Sequence, residues 1–286
     1  MECRRHRSIA RSLLLATGFI LLVAHPSMIV AGNPATDRDE AIASIPYTML
    51  TPAAATKIRG IVERPTIYRR LPPERIECDP SMFVFLVRHP DVIVGIWQRM
   101  EISKVETQRI GPYQLVADDH AGTTCTVDLI YGDATTHIYV ARGKYDGPLV
   151  PRPVTGSGVF ILRSQYAGGG NGPSYVHGTL DCFLQLDNLG VDLVARTFSG
   201  MIGKTADQNF VETAKFMAQI SQAAGNNPTG MRDLALDLPV EPKTREAFAE
   251  AIIDVALRNG NRLGDARGRH GTPFIAKQPT PASLER

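Results

Sequence analysis

Apolar and polar residues change their period twice along this chain. Between residues 101 and 198 they alternate in short runs, EISKVETQRI, PYQLVADD, TTCTVDLIYG, THIYVARGKY, GSGVFILRSQY, SYVHGTLDCFLQL and VDLVARTF. Turn clusters at Gly111 with Pro112, Gly132 with Asp133, and Asn188 through Gly190 separate them. Seven such runs with no helical pattern between them predict an antiparallel meander, because parallel partners need crossover connections of about a dozen residues or more. Parity within each run, as with Cys125, Val127, Leu129 and Tyr131 against Thr124, Thr126, Asp128 and Ile130, predicts one buried and one wet face.

On either side of the meander the period is helical. Upstream, AAATKIRGIVERP reads as a short helix, TIYRRL and ERIEC as a first strand or two, and then two helices follow. Asp79 caps the first, Pro80 to Arg88; Pro90 divides the pair; and Asp91 to Met100 buries Val94 and Trp97. Downstream, Thr205 to Ala224 is the longest well-delimited helix: Thr205 and Gln208 form a capping box, Asp207 suits the positive end of the dipole, and Gly225 stops it. Phe210, Ala214, Met217, Ser221 and Ala224 share its apolar stripe. The class is α+β, an antiparallel sheet of about six to seven strands with a helix pair inserted early and a long helix after it.

The ends differ from this middle. Residues 1–31 carry a basic segment, MECRRHRSIAR, an apolar one, SLLLATGFILLVA, and small residues near Ala31, the pattern of a secretory signal peptide. The apolar run is short for a membrane span and is interrupted by His25 and Pro26; an uncleaved anchor is the alternative. An exported protein is expected, periplasmic or secreted, touching a membrane only through that segment. Residues 32–52 read as a linker, 53–224 as the main domain, 225–242 as a second linker, 243–259 as one further helix burying Phe248, Ile252 and Val255, and 260–286 as a disordered tail. Removing residues 1–31 changes the formal charge from +2 to −1, so nothing electrostatic favours nucleic acid or an anionic surface as partner.

The order helix, strand, helix pair, antiparallel meander, long helix resembles the helix-grip architecture of the START-like (SRPBCC) superfamily over roughly Ala53 to Ala224. The passage from DLVARTFSGMIG into DQNFVETAKFMAQIS is the closest local likeness. That resemblance implies a curved sheet wrapped around the long helix and an apolar cavity between them.

Candidate chemistry is sparse. Cys78, Cys125 and Cys182 have no metal-ligand spacing and read as free thiols, with a Cys125–Cys182 bridge as the alternative. Asp118, Asp119 and His120 read as a polar hairpin turn, and His137 and His177 as satisfied surface histidines. Gly156, Ser157 and Gly158 lack the strand-to-helix elbow of a hydrolase, and Gly168 to Gly172 lie between strands, where no helix terminus binds phosphate. No catalytic, metal or cofactor residues are assigned. Arg163 is the candidate polar anchor, and Phe210, Ala214 and Met217 the candidate lining, of a site for an apolar small molecule or lipid. The function expected is a non-enzymatic carrier; the alternatives are a cyclase or dehydrase acting in the same cavity and an interaction domain with a filled core.

Overall fold

The computed structural model describes residues 34–148, 150, 152–169, 172–187 and 201–269. Helices α1 (Pro34–Ala43) and α2 (Pro52–Val62) are followed by strands β1 (Ile67–Arg70) and β2 (Glu74–Glu77) and by helices α3 (Pro80–Arg88) and α4 (Pro90–Arg99). Then come β3 (Glu106–Gly111), β4 (Gln114–Asp118), β5 (Thr123–Gly132), β6 (Thr136–Tyr145), β7 (Val154–Gly168) and β8 (Ser174–Leu186). Three helices close the order: α5 (Met201–Asn226), α6 (Pro228–Leu236) and α7 (Pro242–Arg269). The fold is α+β. Strands β3 to β8 form the expected meander in an open, antiparallel sheet, with β1 and β2 both paired to β8. The run VDLVARTF and the signal-peptide reading lie outside the described residues.

The early helix pair follows its sequence signals. The Asp79 carboxylate accepts from the backbone N–H groups of Ser81 and Met82, and Pro90 restarts the chain as α4. Both helices, with α5, cover one face of the sheet, where Met82, Phe83, Leu86, Val92, Met217 and Ile220 pack against Val176. Helices α6 and α7 extend the same core, with Phe248 stacked on Phe85 at 5.6 Å between ring centroids.

Four expectations are corrected. The second face of the sheet is not wet throughout: α1 and α2 cover its middle, over Ile138, Val140, Val159, Ile161 and Phe183, each at most 1% exposed, while Arg142, Lys144 and His177 on the same face stay exposed. Parity alone could not reveal this, because β7 is apolar at consecutive positions. Residues 34–43, read as part of a linker, are helical; their apolar content is low because ionic contacts hold them. The stretch after Asn226 is likewise a helix, in which Met231 and Ala235 are buried and whose start Asn227 caps by accepting from the Gly230 N–H; Leu238, just past its end, is buried with them. Helix α5 also includes residues before the predicted box at Thr205, from Met201, and Asp207 pairs with Arg69 of β1.

Candidate functional site

Successive residues of a strand point to opposite faces, so one side of β7 divides into two halves. At its far end Leu162 and Tyr166 meet α3 and α5. At its near end Val154, Gly156, Gly158 and Phe160 face an apolar trough of about 420 Å³. Neighbouring strands complete it, with Cys125 from β5, Ala141, Gly143 and Tyr145 from β6, and Leu184 and Leu186 from β8. The volume lies in the range of small-molecule sites, about 300–1,000 Å³.

The floor of the trough is made of small residues over which neighbours lean: a Cβ at Gly158 would stand 2.9 Å from the Phe160 ring and 3.0 Å from Leu184 Cδ2. Gly143 is the register partner of Gly156, and Ala141 of Gly158. A Cβ at Gly143 would stand 2.9 Å from the Cβ of Cys125, and one at Gly156 2.7 Å from the carbonyl oxygen of Gln185. The strands close in on this face so tightly that only glycine fits, the usual reason for glycine inside a strand. Lys144, between Gly143 and Tyr145, belongs by the same alternation to the opposite face, where it is exposed and paired with Asp146 at 2.9 Å.

The residues expected to form the site are placed as follows. Phe210, Ala214 and Met217 do come together, with Leu162, Phe83 and Ile76, around a space of about 50 Å³. That is room for a water or two, not a ligand. Arg163 is on the opposite face. Its Nη1 donates to Glu40 of α1 at 2.7 Å and its Nη2 to Asp181 at 3.0 Å. Arg70 joins the same carboxylates, and the Tyr68 hydroxyl donates to Asp181 at 2.7 Å. Hydrogen bonds from Arg163, then Arg70, hold the Glu40 carboxyl down at about 2. This cluster fastens α1 to the sheet and faces away from the trough.

Other candidates resolve by environment. Asp118 and Asp119 accept from the backbone N–H groups of His120 and Ala121, and His120 sits at φ 51°, so this is the predicted turn. His177 is exposed as expected. His137 is not a surface histidine. It is fully buried where α3 covers the sheet, its Nε2 accepts from the Arg88 Nε at 3.2 Å, and its Nδ1 has no partner among the described residues. Burial, then the Arg88 charge, lowers its pKa to about 4. Cys78, Cys125 and Cys182 are free thiols, and burial raises all three. Among the described residues no group of acids, histidines and cysteines is placed to hold a metal ion.

The trough was missed in the sequence because its signal is negative. Gly143, Gly156 and Gly158 are mid-strand glycines on two runs, and their adjacency depends on the β6–β7 register.

No family model matches the chain, and no curated protein matches it. Solved structures of similar shape include a hypothetical protein from Helicobacter pylori, with a TM-score of 0.35 and 10% identity over 55% of this chain and 94% of that one. Dicamba monooxygenase bound to dicamba aligns with a TM-score of 0.38 and 12% identity over 82% of this chain and 66% of that one. Truncated norcoclaurine synthase from Thalictrum flavum aligns with a TM-score of 0.30 and 10% identity over 51% and 91%. Helix-grip proteins are thus among the neighbours, but likenesses this distant assign no ligand and no reaction to this chain.

Proposed function

We propose that the chain is a helix-grip binding protein of the START-like kind and that it holds an apolar small molecule or lipid in the β5–β8 trough. The observation that carries this reading is the trough itself: about 420 Å³, walled by Val154, Phe160, Leu184 and Leu186 and floored by glycine and alanine. A void of that size lined by apolar groups forfeits packing throughout its lining, and a bound apolar molecule restores those contacts. The seat is therefore on the strands and not on the α5 stripe, whose residues belong to a nearly filled core.

Mass spectrometry of small molecules extracted from the purified native protein tests this. The expected result is an apolar compound recovered from the parent protein and absent from Ala141→Phe, in which a ring occupies the floor. Recovery of the same compound in equal amount from both proteins would overturn the assignment to the trough.

A further inference from the structure

We infer that the α3–α4 junction is an acid-sensitive joint: two neutral histidines, His137 and His89, fasten it to the sheet by accepting from arginines, and protonating them releases it. Arginine has no acceptor, so a hydrogen bond between it and an imidazole requires a bare ring nitrogen. Two such bonds meet at this junction. Arg88, the last residue of α3, donates from its Nε to Nε2 of His137 on β6 at 3.2 Å. Its Nη2 donates to the carbonyl oxygens of Gly132 and Asp133 at 3.3 and 3.1 Å, so the same side chain clasps the β5–β6 turn. His89, the residue between the two helices, lies with its Nδ1 3.4 Å from Nη2 of Arg109 on β3. Arg109 also reaches Asp91 and the Pro112 carbonyl, and so ties the start of α4 to the edge of the sheet.

Neither ring can take a second proton where it stands. His137 is fully buried, and its Nδ1 has no partner among the described residues. Arg88 acts on it from α3 and Asp133 from the β5–β6 turn. That carboxylate is already taken up by the backbone N–H groups of Thr135 and Thr136 and by the Tyr131 hydroxyl of β5. The Tyr139 and Tyr166 hydroxyls, from β6 and β7, donate to the carbonyls of Val87 and Ala134. His89 is stacked on Phe85 at 4.6 Å between ring centroids, and Arg109, Asp91 and Arg88 are the charges that act on it. A second proton on either ring turns an acceptor into a donor aimed at a guanidinium and sets two cations side by side. Burial, then the neighbouring arginine, accordingly lowers the pKa of both. A ring released into water regains the ordinary value of about 6.5. The closed joint therefore holds fewer protons than the open one, and opening is favoured as pH falls below about 6.5 toward about 4, where His137 titrates in place.

The rings themselves give the first test, on the full chain and without substitution. At about pH 7, long-range proton–nitrogen spectra should show His137 with its proton on Nδ1 and His89 with its proton on Nε2, opposite tautomers set by the two arginines. The lone tryptophan gives the second. Trp97 lies on α4, 5.8 Å between ring centroids from Phe216 of α5, so its emission reports on the joint. As pH falls from about 6.5 toward about 4, that emission should move to longer wavelength while far-UV circular dichroism holds. The shift should shrink in His89→Gln and in His137→Gln and vanish in the double variant, because a glutamine carbonyl accepts from arginine throughout that range. Three results would each overturn the inference: either ring in the other tautomer or doubly protonated at about pH 7, a shift that survives in the double variant, or emission that holds until the far-UV signal is lost.

Discussion

Asp181 is the residue on which most of the buried charge converges. Its side chain is fully buried in the middle of β8 and receives Arg70, Arg163 and Tyr68. Removing one member of such a group leaves the others desolvated without compensation, so Asp181→Asn is expected to cost about 3–5 kcal/mol. Urea unfolding checks this, and a loss below about 1 kcal/mol would mean that the arginines find other partners. His137 gives a second expectation, in pH. Its folded-state pKa of about 4 lies below the ordinary 6.5, so between those values the unfolded chain binds more protons than the folded one. Stability contributed by neutral His137 is complete above pH 6.5 and is lost as pH falls toward 4, by up to about 3 kcal/mol. The difference between parent and His137→Gln unfolding curves should shrink over that window; parallel curves would exonerate the histidine. Neither role was legible in the sequence. Parity correctly puts His137 opposite Ile138 and groups Arg163 with Val159 and Ile161, but it cannot say which elements cover each face.

Helices and strands were read better than their surroundings. The α3–α4 pair, the β3–β8 meander and the body of α5 follow from caps, prolines and period, all of which are local. The misread segments have a distant cause. Helix α1 has few apolar residues, and what makes it helical in place is Asp37 and Glu40 meeting Arg70 and Arg163, partners that sequence spacing cannot show. Helix α7 was legible by its stripe, and that stripe is structural: Phe248 is fully buried against Phe85, whereas Phe210 on α5 is half-buried. Phe248→Ala should therefore cost about 3–5 kcal/mol. Phe210→Ala should cost clearly less, and thermal unfolding of the two variants side by side would expose a reversed order.

At the scale of the molecule, element order was enough to predict a sheet gripping a long helix, and the sheet's second covered face was not, since α1 and α2 were read as a linker and an isolated short helix. The proposed site was legible only as a kind, an apolar space on the helix side of the sheet, while its position depends on which strands bring their glycines side by side. The same long-range closure governs the order in which the chain can assemble. Strand β1 pairs with β8 through Ile67 and Leu184, and β2 does so through Glu74 and Gly178. Everything made early therefore waits for what is made late. On the ribosome, α1 emerges long before Arg163 and Asp181, the residues of its ionic cluster on β7 and β8, have been synthesised. Contacts this remote in sequence slow folding and prolong exposure to association with other chains. Truncation before Ser174 would leave a chain without a partner for its first strands, and not a smaller version of the same protein.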